Sequence, residues 1–121
     1  MSELDQRGPL VRHNEKLRVI QRMKLQCINR EKNHRKFYRV DVCYDSRYNK
    51  YVVDATWGRI GREGQHMVKA EGKLLDDVLE EMEKVLLQKL FKKGYEMIDI
   101  QRWPVEAREE DRDRFIDEDW D

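Results

Sequence analysis

The sequence predicts an α+β domain, in which an antiparallel β-sheet of about four to five strands carries one long amphipathic helix across one face. Three observations favour this class. Apolar and polar residues alternate through the first half of the chain, a later segment repeats every three to four residues, and a short alternating segment follows it. Strands followed by one long helix are typical of α+β domains. The 121 residues suffice for one domain.

The strand predictions rest on the two-residue period. The first strand is expected from Leu17, and four apolar residues of odd number are expected to share one of its faces, namely Val19, Met23, Leu25 and Cys27. A polar loop over residues 29–36 separates it from the second strand. The next elements are a strand over 37–44, a polar turn over 45–49, a returning strand over 51–57, a glycine-containing turn over 61–64 and a short strand over 65–70.

The helix prediction is the most specific of the secondary-structure predictions. Between Leu74 and Leu90 the apolar residues repeat at intervals of three and four, which is typical of an amphipathic helix. Aspartates in the first turn and Lys92-Lys93 in the last turn complement the helix dipole. Gly94 then provides the expected helix end. Residues 96–102 predict a final edge strand that ends before Pro104.

The net charge of zero hides a separation of charge along the chain. Residues 1–36 contain ten Lys or Arg and four acidic residues, whereas residues 104–121 contain three Arg and nine acidic residues. We therefore divide the chain into a flexible basic arm (1–16), a domain (17–103) and an acidic C-terminal tail (104–121). A basic half followed by an acidic tail is typical of proteins that bind nucleic acids, although charged termini are often only solvated.

Several classes of function are excluded by what the sequence does not contain. No apolar run approaches the ~20 residues of a membrane span, and no signal peptide begins the chain. Cys27 and Cys43 are isolated, which favours a reducing, cytoplasmic location. The three histidines lie in separate segments with no carboxylate at ligand spacing, so no metal site is expected. No nucleotide-binding or catalytic motif is present, and we expect neither a small-molecule cofactor nor an enzymatic activity.

The turn around Trp57-Gly58-Arg59 carries the residues best suited to bind a ligand. An indole at a strand end can stack on a base, and glycines at 58 and 61 allow close approach of the backbone. Arg59 and Arg62 provide forked, permanently charged donors for phosphate. The pattern alone nevertheless favours a core position for Trp57, because it is in phase with the preceding apolar residues of its strand.

The segment from Thr56 to Gln65 resembles the WGR domain, a module of DNA-damage-responsive poly(ADP-ribose) polymerases and of bacterial proteins related to a molybdate metabolism regulator. The resemblance extends over residues 17–100. It includes Lys36-Phe37-Tyr38-Arg39-Val40, Lys50-Tyr51-Val52-Val53, Gly64-Gln65-His66 and Lys92-Lys93-Gly94-Tyr95. An ordered set of motifs is far more specific than a single tripeptide.

The resemblance implies a role in binding DNA. In the polymerases the signature Trp packs against the terminal nucleotide of a DNA break, and the signature Arg holds phosphate or a neighbouring domain; these positions are Trp57 and Arg59 here. Arg35 stands where the DNA-end binders of the family commonly have Asn. The predicted nucleic-acid-binding residues are Trp57, Gly58, Arg59, Arg62, Arg35, Lys36, Gln65, Lys92, Lys93 and Tyr95.

The sequence thus predicts a non-enzymatic nucleic-acid-binding module that binds DNA at ends, nicks or single-stranded junctions. The alternative is a protein-interaction adaptor that uses the same strand–turn surface. The residues leave DNA and RNA both open as ligands. A further hypothesis is that the acidic tail folds back over the basic surface and competes with phosphate.

Overall fold

The computed structural model describes residues 7–104, which form six β-strands and one α-helix. The helix follows the fifth strand, and the sixth strand follows the helix. In chain order the elements are β1 (Leu10–Val11), β2 (Asn14–Asn29), β3 (His34–Asp45), β4 (Lys50–Arg59), β5 (Gln65–Gly72), α1 (Leu75–Lys92) and β6 (Glu96–Arg102).

All six strands belong to one antiparallel sheet. The order β1-β2-β3-β4-β5 follows the chain, and β6 returns to pair with β2 along residues 21–26 of that strand. The outer edge of β2 is therefore shared, with β1 beside its first part and β6 beside its middle part. The predicted α+β class with one helix on an antiparallel sheet is confirmed. The sheet has one strand more than the upper predicted number.

The two faces of the sheet bury separate apolar clusters. The larger cluster lies beneath α1 and includes Tyr38, Val40, Val53 and Ala55. The smaller cluster lies on the opposite face and consists of Val11, Leu17, Val19, Cys43 and Val52, with Trp103 packed against it. Alternating residues of β4 thus serve different clusters, as expected for a strand covered on both sides.

The prediction that Val19 shares a face with Met23 and Leu25 is wrong. A β-bulge inserts Ile20 between the pairs Val19↔Cys43 and Gln21↔Val42. One extra residue reverses the face of everything that follows it, because side chains alternate with a period of two. Val19 therefore lies in the smaller cluster, whereas Met23 and Leu25 lie beneath the helix.

The helix begins and ends as its apolar spacing indicates. Its buried residues are Leu75, Val78, Met82 and Leu86, and acidic residues occupy its first turn and lysines its last turn. Gly94 has a φ of +75°, the left-handed conformation that commonly follows a helix end. Among residues 7–104, no helix has the length and apolar character needed to cross a membrane.

The sheet begins earlier in the chain than the predicted boundary at residue 17. Val11 is fully buried, and β2 starts at Asn14. The Val19 N–H donates to the Pro9 carbonyl at 2.8 Å, so the segment just before β1 is attached to the sheet as well. Part of the expected flexible arm is therefore folded. The rest of that arm and the acidic tail from residue 105 lie outside the described residues.

Candidate nucleic-acid interface

Three aromatic rings lie side by side at the end of the sheet near the C-terminus of α1. The rings of Tyr38 and Trp57 are nearly parallel, with centroids 6.0 Å apart, and Tyr95 meets Tyr38 edge-on at the same distance. Tyr38 is almost fully buried, whereas Trp57 and Tyr95 are half-buried. Trp57 is therefore partly a core residue, as its strand phase indicates, and keeps part of its indole at the surface.

Lysine ammonium groups lie over these rings. Lys89 Nζ is 4.5 Å from the centroid of Tyr38 and 5.9 Å from that of Tyr95, and Lys69 Nζ is 5.3 Å from that of Trp57. These distances are in the range of cation–π contacts. We call the following group the helix-side basic surface: Lys36, Lys69, Lys89 and Lys93, with Tyr38, Trp57 and Tyr95.

The lysines are close enough to affect one another. The pKa of Lys89 is lowered below its ordinary value, first by partial burial and then by the positive charges of Lys69, Lys93 and Lys36. A cluster that destabilises its own charges gains free energy when an anion enters it. The surface is therefore prepared electrostatically for a phosphate or another anion.

A cavity of about 570 Å³ opens beside these residues and is lined by Lys36, Lys89, Lys93 and Tyr95 among others. Lys32, His34 and Asn29 come from the β2–β3 turn and its flanks to complete its wall. Among residues 7–104, no Asp or Glu belongs to its lining. A groove with one sign of charge concentrates counter-ions and tracks a nucleic-acid backbone well.

The Trp-Gly-Arg turn itself is held by contacts within the protein. Arg59 donates to the backbone oxygen and to the side-chain oxygen of Asn33, at 3.2 and 3.4 Å, and so joins the end of β4 to the β2–β3 turn. A Cβ on Gly58 would lie 2.8 Å from the Cα of Gly64, which explains the need for glycine there by packing. These contacts show that Arg59 and Gly58 stabilise the structure of the turn.

Six of the ten predicted binding residues lie on the helix side of the sheet, including Arg59, which pairs across strands with Lys36. Trp57 pairs across strands with Gln65, so their side chains share a face, and Lys36, Lys93 and Tyr95 line the neighbouring cavity. The other predicted residues are placed differently. Arg35 alternates with Lys36 and points to the other face, and Arg62 lines a separate cavity with Phe37 and Arg39.

Lys92, although exposed, does not line the cavity that contains Lys93. Its position one residue earlier at the helix end turns it by about 100° from its neighbour. Lys92 lies with Lys89 in the last turn of α1, where positive charges complement the helix dipole.

Sequence reasoning did not identify Lys69, Lys89 and Tyr38 as members of the helix-side basic surface. One signal could have revealed Lys89: it follows Met82 and Leu86 at helical spacing and so stands on the apolar stripe of α1. A charged lysine in an otherwise apolar stripe calls for a structural or functional explanation. Lys69 carried no comparable signal, because its proximity to Trp57 depends on the bulge between Val53 and Asp54 in the β4–β5 pairing.

The fold also brings together residues that the sequence predicted to be separate. His13, Asp54 and His66 offer ligand atoms that all lie within 4.8 Å of one another, although they are far apart in sequence. Spacing along the chain could not reveal this group, because each residue comes from a different element. The expectation that no metal site is present rested on spacing along the chain alone, and this group does not depend on such spacing.

Within residues 7–104, the six-stranded antiparallel sheet, the one helix and the Trp-Gly-Arg segment at the end of β4 define the class of the protein as a small α+β module. A family model for the WGR domain matches residues 21–102. The chain belongs to the WGR domain family, whose members are in general non-catalytic nucleic-acid-binding modules. A search among curated protein sequences found no match.

Proposed function

We propose that this protein is a non-enzymatic DNA-binding module that engages ends, nicks or single-stranded junctions through the helix-side basic surface. One observation carries the proposal: four lysines surround three aromatic rings at one end of the sheet, beside the half-buried indole of the signature Trp57. Lysines supply phosphate contacts, and an accessible indole supplies stacking, which together are the two parts of single-strand and end recognition.

The geometry suggests an order of events on binding. Lys69 is exposed and lies over the indole of Trp57. Its flexible side chain would swing towards a phosphate and leave ring surface for the terminal base. Lys89 and Lys36 would hold the next phosphate, which relieves their mutual repulsion. Trp57 is supported from behind by Tyr38, so it needs little reorganisation.

The proposal is tested by measuring the affinity for fluorescent blunt, nicked and single-stranded DNA and for an RNA duplex, each at several salt concentrations. Every phosphate contact that a variant loses should reduce the magnitude of the slope of log affinity against log salt by about 0.9 on duplex DNA. We expect such a reduction for Lys89→Gln and Lys36→Gln. The matched control is Lys16→Gln, because residue 16 lies about 36 Å along β2 from the pairing partner of Lys36.

The role of Trp57 is tested with two variants. Trp57→Ala should weaken binding to DNA ends by about 1–3 kcal/mol, the usual contribution of one aromatic stack. Trp57→Phe keeps a ring and should retain part of the affinity and a native circular dichroism spectrum. If folded Trp57→Ala binds all four ligands as the parent does, the indole has no role in binding. A preference for the RNA duplex would assign the surface to RNA.

A protein-interaction adaptor is the second candidate, and a different surface favours it. On the face away from α1, a cavity of about 300 Å³ is lined by Phe37, Ile60 and Ile98 together with Arg62. Ile60 and Ile98 are 40% and 52% exposed. Aromatic and Arg side chains beside exposed apolar ones are typical of interaction surfaces.

Docking at this apolar cavity should depend on salt less than phosphate binding does. The adaptor reading predicts that a partner protein is recovered after nuclease treatment and is lost in Arg62→Ala, while Lys89→Gln has no effect. If the protein binds DNA, nucleic acid should instead be lost in Lys89→Gln and retained in Arg62→Ala.

The cellular setting is part of the same proposal. Cys27 and Cys43 are free thiols, which supports a reducing, cytoplasmic environment. The resemblance to modules of DNA-damage-responsive polymerases supports a role where broken or nicked DNA occurs. Recovery of the protein with chromosomal DNA after induced strand breaks, and not before, would support this setting.

A further inference from the structure

The face of the sheet opposite α1 carries a group of three potential metal ligands. His13 lies in the turn between β1 and β2, Asp54 lies in β4, and His66 lies in β5. Asp54 alternates with Val53 and Ala55, which pack beneath α1, so its carboxylate lies on the other side of the sheet. The group is therefore separate from the helix-side basic surface.

Asp54 is a buried carboxylate whose hydrogen-bonding capacity is unsatisfied among the described residues. Its side chain is 1% exposed, and neither of its oxygens has a hydrogen-bond partner among residues 7–104. His13 Nε2 lies 3.1 Å from Oδ2, which is close enough for an ion pair, yet without hydrogen-bond geometry. A buried charge in this state is costly unless a cation compensates it.

The neighbouring guanidinium groups are engaged by a different carboxylate. Asp41 pairs with Asp54 across β3 and β4 and is also fully buried. Arg22 binds Asp41 through two hydrogen bonds, and Arg39 Nε lies 3.4 Å from its second oxygen. The ring nitrogens of His13 and His66 are thus the partners that remain available to the Asp54 carboxylate.

The two imidazoles are arranged as a pair. Their rings are stacked at 3.5 Å between centroids and are within 14° of parallel. A neutral imidazole offers a lone pair to a metal ion. Both rings are near the surface and can rotate, whereas Asp54 is held by its strand.

We propose that His13, His66 and Asp54 bind a divalent transition-metal ion, with Zn²⁺ as the first candidate. Two imidazole nitrogens and one carboxylate oxygen are a donor set that zinc accepts with one position left for water. The same set is poor for Ca²⁺ and Mg²⁺, which prefer oxygen ligands. Bond lengths of about 2 Å require the ligand atoms to approach from their present separations, which rotation of the two histidines allows.

Such an ion would fasten the β1–β2 turn to the β4–β5 pair. His13 belongs to a turn whose strand β1 has only two residues, and its neighbour Arg12 is held to Glu63 by an exposed ion pair alone. Exposed ion pairs contribute little to stability. A metal bridge would add to the packing of Val11 with Val52 and to the contacts of His13, and so would hold this turn more firmly to β4 and β5, independently of any nucleic acid.

The experiment uses the full chain without an affinity tag, treated with a chelator and titrated with Zn²⁺ by calorimetry and by competition with a chromophoric chelator. We expect one ion per chain. His66→Gln and His13→Gln should each weaken zinc binding at least tenfold, and both residues are exposed enough for the variants to fold. His34→Gln, which changes a histidine outside the group, should bind zinc as the parent does.

Two further readouts distinguish a specific site from adventitious binding. Zinc should raise the melting temperature of the parent and of His34→Gln, but not of His66→Gln. It should also slow amide hydrogen exchange in residues 12–14. The proposal is overturned if the parent binds no zinc at millimolar concentration, if His66→Gln binds it as tightly as the parent, or if His34→Gln loses as much affinity as His66→Gln.

Discussion

At the scale of single residues, the turn between β4 and β5 shows how backbone geometry positions the signature tryptophan. Gly64 has a φ of +80°, and a Cβ there would collide with the carbonyl oxygen of Trp57. Gly61 also has a positive φ, of +92°, but a Cβ at that position would meet open space. Substitutions at the two glycines therefore distinguish the free-energy cost of the left-handed backbone conformation from that of a steric clash.

We predict that Gly64→Ala destabilises the protein by about 3–4 kcal/mol and Gly61→Ala by only about 1–2 kcal/mol. The smaller value reflects the left-handed conformation alone, and the larger value adds a clash against the backbone. Urea unfolding of both variants measures the difference. Equal losses would mean that the turn moves freely away from Trp57.

Asp45 illustrates a residue whose charge is built into a turn. It is 2% exposed and accepts hydrogen bonds from the backbone N–H, Nε and a terminal nitrogen of Arg47. These bonds, followed by the nearby charges of Arg47 and Lys50, lower the pKa of Asp45 despite its burial. A carboxyl whose pKa is lowered by folding stabilises the protein above its ordinary pKa of 3.8 and loses that contribution as the pH falls through the lowered value.

We predict that Asp45→Asn lowers the free energy of unfolding by about 1–3 kcal/mol at pH 7, which is the usual cost of losing charge-assisted hydrogen bonds. The difference between parent and variant should shrink as the pH falls below about 4, because the parent then binds the proton that the variant cannot bind. Urea titrations between pH 7 and pH 2 provide the measurement. A constant difference would show that the charge of Asp45 is not the stabilising feature.

At the scale of elements, the helix shows the closest agreement between sequence and structure. Its apolar residues recur at three and four, and that spacing alone determines which face meets the sheet. Leu86 is 8% exposed and packs into the larger cluster, whereas its neighbour Leu87 is 46% exposed. Adjacent leucines with opposite environments make a direct test of the packing.

We predict that Leu86→Ala costs about 2–5 kcal/mol of stability, as is usual for buried leucines. Leu87→Ala should change the stability by no more than about 0.5 kcal/mol, because it removes little buried surface. Thermal and urea unfolding of both variants check this. A large loss at Leu87 would indicate that the exposed side of α1 is covered in solution by another molecule.

The strands agree less well with the sequence, and the reasons are physical. The bounds of β6 were predicted correctly because Pro104 limits the strand, although a bulge at Ile98 interrupts its pairing with β2. The face of Val19 was not, because a bulge leaves no mark in the alternation until the partner strand is known. The early start of β2 was also missed, because Asn14, Glu15 and Lys16 are polar and their pairing depends on β1.

The residues of the candidate site divide in the same way, into those that motifs predict and those whose contacts depend on strand pairing. Trp57, Lys36 and Tyr95 could be identified from motifs, whereas the contacts of Lys69 and of the histidine pair depend on which strands become neighbours. Local spacing predicts elements well, but it carries no information on strand pairing. Strand pairing positions Lys69 and His66, which the sequence missed, whereas Lys89 was missed despite its place on the apolar stripe of α1.

At the scale of the whole molecule, charge is separated between the folded domain and the C-terminal segment. Residues 104–121 carry a net charge of −6, and residues 1–36 carry +6. Seventeen residues after Pro104 could extend over roughly 55–60 Å, which is long enough to reach any surface of a domain of this size. The hypothesis that the acidic segment competes with phosphate is therefore sterically feasible.

We predict that deletion of residues 105–121 tightens DNA binding, and most strongly at low salt, where screening is weakest. At about 0.1 M salt the Debye length is about 10 Å, and the gain should diminish above that concentration. The same fluorescence titrations measure it, with the Lys89→Gln background as a control in which the gain is smaller. An unchanged affinity at every salt concentration would assign the segment to solubility alone.

The shared edge of β2 has a consequence for how this domain can be joined to other proteins. Gly8 and Trp103 approach each other closely, and the Trp103 N–H donates to Ile20 beside β1. The chain thus enters and leaves the sheet at one place, on the side where Trp103 packs, away from the lysines and the indole. A linker or reporter attached directly at residue 7 or 104 would start from the rear of the module, and a cyclised version of residues 7–104 would need only a short bridge.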